Sequence, residues 1–283
     1  MPGDEAILDR YNRTFVEELV VALRGHFLVL DGPDGSGKTT QLALFESLLR
    51  QSTNDLLVLR DPGGTAVGEA IRNLVLHNGF IEMRALTEML LFMASRAQLV
   101  REAIEPALRD GYIVICDRFL SSTYAYQSWL PKCGVKPEHE YVRFKTIQNI
   151  AKHVIGDTIS SQYKTFIFQL DLHSSMKRMH GGEIEHHGAR VMHGGSADQM
   201  LLFGDRIELM AAVYLRKVVA MYRKLCDKWP DRYIAVDASG PSEIVFDNLL
   251  ERIKHSFHVT NTPFASNEGI LPRCSPAGKR GPR

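Results

Sequence analysis

The chain is poor in cysteine, in net charge and in long apolar runs, and each shortage removes a class of protein. Its four cysteines, Cys116, Cys133, Cys226 and Cys274, are scattered without a C-x-x-C pair. That spacing suits reduced thiols, not a disulfide framework or a zinc module. Lys and Arg number 34 against 33 Asp and Glu, a net charge of +1. No overall field therefore draws the chain to nucleic acid or to a membrane surface. No apolar run approaches the length of a membrane span. The opening residues carry Asp4, Glu5 and Asp9 where a signal peptide would carry an apolar core. The expectation is a cytoplasmic chain with neither nucleic acid nor membrane as partner.

What is present is ordinary for a globular protein: 283 residues, 45% hydrophobic and 24% charged. The apolar runs Phe27–Leu30, Leu56–Leu59, Tyr112–Cys116, Thr165–Leu170 and Tyr233–Val236 read as buried strands. Helical stretches alternate with them, and one pattern throughout predicts a single domain with appendages. In residues 1–25, Tyr11, Phe15, Val16, Leu19, Val20 and Leu23 recur at helical spacing. Glu17 and Glu18 lie on the polar face, so this helix should pack on the core rather than anchor to a membrane. The domain itself spans 26–258. The Pro-, Gly- and Lys-containing segment 259–283 lacks periodicity and is expected to be disordered.

The strongest motif is Gly32-Pro33-Asp34-Gly35-Ser36-Gly37-Lys38-Thr39, which fits G-x-x-x-x-G-K-[ST] between a strand and a helix beginning near Thr40. Gly32, Gly35 and Gly37 permit backbone conformations that let successive N–H groups point inward. With the helix N-terminus they form an anion cradle from Gly32 through Thr40, Asp34 and Ser36 included. Lys38 would reach the outer phosphates of a nucleotide, and the Thr39 hydroxyl would take a magnesium ion. Arg60-Asp61-Pro62-Gly63-Gly64-Thr65 ends the second strand, so Arg60 and its turn are candidates for a second phosphate site, with Thr65 capping the next helix. A long helix is expected from Leu86 to Arg109. On it Phe92 and Arg96 share a face and could stack on a base and bond its edge; taken alone, a Phe on such a helix is more often core. Asp117 at the end of the third strand suits a magnesium-side carboxylate, and Arg118 a phosphate clamp.

Further on, Pro131, Gly134 and Pro137 break the chain before a helix near 138–153 and a polar connection to the fourth strand. Ser174 and Ser242 are placed to cap helices. Between them, Gly-Gly pairs and His180, His186, His187 and His193 mark a mobile lid at about 178–204. A metal site there is the lesser reading, because the His spacing matches no tight tetrahedral signature. Arg178 and Arg190 could swing from this lid toward a phosphate. A helix from Asp205 to Lys228 follows.

Taken together, residues 27–40, 60–65, 90–98, D-R-F-L-S-S-T-Y-A-Y-Q at 117–127 and D-R-I-E at 205–208 resemble the thymidylate kinase family, in the family's order and over most of 26–254. The resemblance implies an α/β fold of the P-loop nucleoside monophosphate kinases, a three-layer α/β/α arrangement with a five-stranded parallel sheet. It implies phosphoryl transfer from ATP to dTMP, magnesium, and a homodimer. Lys38, Thr39 and Asp117 match the ATP–magnesium apparatus. Asp34 matches the loop carboxylate that contacts the acceptor's sugar, Phe92 the residue stacking on thymine, and Arg96 the one bonding the base edge. Arg118, with Arg60 near it, matches the arginine on the acceptor phosphate. Thr123 and Tyr126 match positions that read the base and exclude a ribose 2′-hydroxyl, and Ser122 joins the substrate-binding set. Two departures stand out. Asp31 occupies a position where the family commonly has Glu. The phosphate loop also has no basic residue at Gly35 or Ser36, which in the family places the catalytic arginine in the lid. Arg190 is the choice here, with Arg178 and Arg206 as alternatives. Rival readings are a kinase of another monophosphate, a nucleotide-binding ATPase without a small acceptor, and a non-catalytic relative.

Overall fold

The computed structural model describes residues 7–76, 83–128, 142–171, 174, 175, 178 and 214–260. Its strands are β1 (Phe27–Asp31), β2 (Leu56–Arg60), β3 (Ile113–Asp117), β4 (Tyr163–Gln169) and β5 (Tyr233–Asp237). The helices, in chain order, are α1 (Arg13–Leu23), α2 (Lys38–Arg50), α3 (Ala66–Leu76), α4 (Ala85–Leu99) and α5 (Glu105–Arg109). There follow α6 (Leu120–Gln127), α7 (Phe144–Gln162), α8 (214–228) and α9 (Ser242–Phe257). The five strands form one parallel sheet in the order β2-β3-β1-β4-β5. β1 is buried along its whole length, which is why it reads as an unbroken apolar run.

Helices cover both faces. On one, Phe15 and Leu19 of α1 pack with Phe45 and Leu48 of α2 and Phe246 and Leu249 of α9. On the other, Met89 and Met93 of α4 pack with Ile147 and Ile155 of α7 and Tyr222 of α8. The predicted N-terminal helix is thus core: Asn12 Oδ1 caps it by accepting from Phe15 N at 2.7 Å, and Phe15, Leu19 and Leu23 are fully buried. The chain leaves β1 toward β2 but leaves β3 toward β4, so adjacent strands send their connections in opposite directions. A crevice opens at the C-terminal ends of such a pair. Register brings those ends level, with Leu30 and Arg60 both opposite Asp117.

Several local expectations are corrected. The long helix of 86–109 contains a π turn at Val100–Ile104, directly before α5 with its early Pro106. A proline has no N–H to donate back along the helix, and its ring crowds the carbonyl four residues earlier; a widened turn relieves both. The helix expected near 138–153 runs from Phe144 to Gln162 and passes straight into β4, interrupted only at Gly156, whose φ of 73° an α-helix cannot hold. Ser174 and Ser242 are not the caps. Ser174 N donates to Asp171 Oδ1, and Pro241 holds the N-cap position of α9. Ser242 instead accepts from Gln41 Nε2 through its hydroxyl and its carbonyl, each at 3.1 Å. Thr65 does cap, accepting from Gly68 N at 2.9 Å. Val259 and Thr260 extend the packed chain past 258, Val259 in the α1–α9 core and Thr260 bonded to Glu18. Most of the lid, and the tail from 261, lie outside the described residues.

Because α1 is core, Leu19→Ala should cost about 2–5 kcal/mol of stability. Urea unfolding followed by circular dichroism measures it; a change under 0.5 kcal/mol, the scale of about any surface site, would mean the helix does not pack.

Candidate active site

The phosphate loop turns away from β1 at Gly32, whose φ is 152° and where a Cβ would meet Phe168 O at 2.8 Å. Only glycine fits there. Gly37 caps α2 in the left-handed conformation with no side-chain bond to the helix N-terminus. The first-turn amides, those of exposed Thr39 and Thr40 among them, thus have no internal cap and face where an anion would sit. Ser36 Oγ is buried with no partner among the described residues. Lys38 folds back into the loop, its Nζ 3.3 Å from Pro33 O and 3.7 Å from Asp34 Oδ1. Burial, then the nearby Arg118 charge, push the Lys38 ammonium down to about 8 against the pull of Asp34, Asp117 and Asp31.

The facing wall comes from β3 and α6. Arg118 stands just past β3 with a left-handed backbone, φ 66°. Its Nη1 donates to Asp31 Oδ1 (3.3 Å), Gly32 O (3.2 Å) and Ser122 Oγ (3.1 Å). Its Nη2 donates to Asp34 Oδ1 at 2.5 Å. The guanidinium lies 5.4 Å from the Tyr126 ring, and the Tyr126 hydroxyl donates to Asp34 Oδ2 at 3.1 Å. Burial would raise the Asp34 carboxyl, but Arg118 and then Lys38 outweigh it and hold it below its ordinary value. One carboxylate thus sits between two cations from opposite walls. Asp117 Oδ1, buried beside them without a partner among the described residues, is an orphaned acceptor of the kind a divalent cation satisfies.

Phe92 is half-buried on α4. Arg96, one turn on, is 1% exposed: Nε donates to Asp61 Oδ2 at 2.5 Å and Nη2 to Phe119 O at 3.1 Å. Thr123 Oγ1 is buried and unpartnered among the described residues. Arg60 lies at the end of β2 and pairs with Glu69 at 2.8 Å. Arg178 donates to Gly240 O at 3.2 Å, on the turn before α9. Arg190 and Arg206 lie outside the described residues. The sequence reading missed Ser121 and Tyr222, which bond Asp31, and the Glu88–Gln127 pair at 3.0 Å. An acid ending an apolar strand was the available signal that buried donors must converge there.

This sheet order, with the loop after β1 and an Asp-Arg pair after β3, defines a P-loop kinase of the nucleoside monophosphate class. The family description that matches residues 30–249 is thymidylate kinase, and the chain belongs to that family. It is 33% identical over 246 residues to the thymidylate kinase of Geobacillus thermodenitrificans, covering 84% of this chain and 97% of that protein. To the thymidylate kinase of Exiguobacterium sibiricum it is 36% identical over 231 residues, covering 82% and 95%. The crystal structure of thymidylate kinase from Ehrlichia chaffeensis superposes with a TM-score of 0.54 at 25% identity, covering 80% of this chain and 97% of that one.

Lys38 titrates near 8 in the folded chain against 10.5 for an ordinary lysine. Between those values the unfolded chain holds a proton that the folded chain has released, so nucleotide-free stability rises with pH across the window. The penalty, on the order of 3 kcal/mol, is complete below about pH 8. Nucleotide-free Lys38→Met should therefore unfold at higher urea than the parent at pH 7, with the gap closing between pH 8 and 10.5. A pH-independent gap would contradict the burial of the charge.

Proposed function

We propose that the loop and Arg118 carry out the family's reaction, transfer of the terminal phosphoryl group of ATP to dTMP to give dTDP. The observation that supports this most is the Asp34 carboxylate between Lys38 and Arg118, at 3.7 Å and 2.5 Å. In this reading Lys38 faces the donor's phosphates and Arg118 the acceptor's. The acceptor phosphate has its second pKa near 6 and is already an anion at neutral pH, so no general base is needed. The work is to align two anions and neutralise the transferring group.

In this reading Lys38 and the amides from Gly32 to Thr40 hold the ATP phosphates. Thr39 and Asp117 would hold magnesium, which would supply further neutralisation of the transferring group. Arg118 Nη2 exchanges Asp34 for the acceptor phosphate, helped by Arg60 and Ser122. Asp34, released, takes the sugar hydroxyl with Tyr126. Phe92 stacks on the base, while Arg96 and Thr123 line its edge. Arg190, or failing it Arg178 or Arg206, brings the remaining positive charge from the lid, a contribution on the order of 10³ to 10⁵ in rate.

The same reading divides the chain into an N-terminal helix packed on the core (1–25), the kinase domain (26–260, lid at 178–204) and a tail from 261, and would place it in the cytoplasm. No described helix is long and apolar enough to cross a membrane. It also makes the enzyme a homodimer. Val67 and Leu74 of α3 and Leu86 and Leu90 of α4 leave large apolar side chains exposed on two packed helices, the kind of patch that a second copy covers.

Arg118→Ala should abolish single-turnover transfer to dTMP while ATP binding, read by calorimetry, is largely kept. Equal loss of ATP affinity would move Arg118 to the donor side. The double substitution Leu86→Glu with Leu90→Glu should shift sedimentation from dimer to monomer; an unchanged sedimentation coefficient would place the interface elsewhere.

A further inference from the structure

Asp31 is a fully buried carboxylate one residue before the phosphate loop, and the proposed reaction gives it no part. It nevertheless collects donors from four separate places. Gly32 N reaches Oδ1 at 2.8 Å, Ser121 Oγ reaches Oδ2 at 2.5 Å, and Ser122 Oγ reaches Oδ1 at 2.8 Å. Tyr222 on α8 donates its hydroxyl to Oδ1 at 2.8 Å, and Arg118 Nη1 stands at 3.3 Å. All but the last are neutral, and an amide oxygen could still accept from several of them. Among the described residues Arg118 is the one hydrogen-bonded partner that is itself charged.

The two ends of the Arg118 guanidinium are treated differently. Nη1 faces Asp31, Gly32 O and Ser122 Oγ, acceptors fixed on β1, the loop and α6. Among the described residues Nη2 faces only Asp34, which lies on the loop and is shared with Lys38. A planar fork held at one end offers the other in a set direction. An arginine fixed when the chain folds has little rotamer freedom left to lose when a phosphate arrives. We propose that Asp31 is a positioning residue for phosphoryl transfer, holding Arg118 Nη1 so that Nη2 alone trades Asp34 for the acceptor phosphate. The proposal rests on the assignment of Arg118 to the acceptor.

The test is a double-mutant cycle with dTMP and ATP affinities measured separately. Asp31→Asn, confirmed folded by thermal melting, should raise the Kd for dTMP, read by calorimetry in all four members of the cycle, roughly ten- to hundredfold. The Kd for ATP should stay within about twofold, since an amide oxygen still accepts from Gly32 N, through which the donor cradle meets this side chain. Placed in an Arg118→Ala background, Asp31→Asn should add no further loss. Additive losses would overturn the positioning role while leaving Arg118 on the acceptor. Arg118→Ala that weakens ATP and spares dTMP would overturn the reading and the proposal together. Should Asp31→Asn fail to fold, the unaltered enzyme gives a second readout. Nitrogen-15 spectra of labelled arginine, assigned by the signal lost in Arg118→Lys, should show slow Nη–H resonances for Arg118 that persist when dTMP is added. Motionally averaged Arg118 signals in the free enzyme would refute the anchoring.

Discussion

Two like charges held on either side of one acid set the terms for the rest of this structure. Lys38 comes from the first turn of α2 and Arg118 from the end of β3. Each raises the cost of burying the other, and Asp34 makes the arrangement tolerable in the absence of nucleotide. The parallel order with β3 beside β1 is what allows two cations so far apart in sequence to meet. In the proposed reaction, phosphate groups entering the site would relieve that repulsion, so their binding would draw on energy that folding has stored.

The polar atoms around the crevice tell the same story. Of seven side-chain atoms buried without a partner among the described residues, five (Ser36 Oγ, Gln41 Oε1, Asp61 Oδ1, Asp117 Oδ1 and Thr123 Oγ1) lie at the C-terminal ends of strands or on the elements that follow, and two, Tyr163 Oη and Thr165 Oγ1, at the start of β4. A fold ordinarily satisfies such groups. Arg118 adds a left-handed backbone, a conformation that costs a non-glycine residue about 1–3 kcal/mol. Incomplete hydrogen bonding and local strain thus gather where nucleotides are proposed to bind.

How much of this was legible beforehand depended on range. The five strands stood out because both faces of β1 are buried and its sequence is uniformly apolar. The phosphate loop stood out because its chemistry is contained in eight consecutive residues. Arg118 and Asp117 were found by their position after an apolar run. Arg96 was placed on the right helix, but its burial against Asp61 depends on how α4 lies over the end of β2, which spacing along one helix does not report. Tyr222 meets Asp31 across 191 residues of chain, and no local pattern announces such a bond. The π turn and the interruption at Gly156 were missed because single residues override a periodicity that otherwise continues.

The N-terminal helix has one more consequence. Tyr11 and Arg10 bond Asp247 on α9, and Glu18 holds Thr260 just beyond it, so the two ends of the described chain are latched side by side. Beneath the latch, Phe246, Leu249, Leu250 and Ile253 of α9 form a seam that α1 covers. Removing α1 would bare that greasy strip, and the trimmed protein would lose the core contacts that hold the sheet face closed and tend to clump.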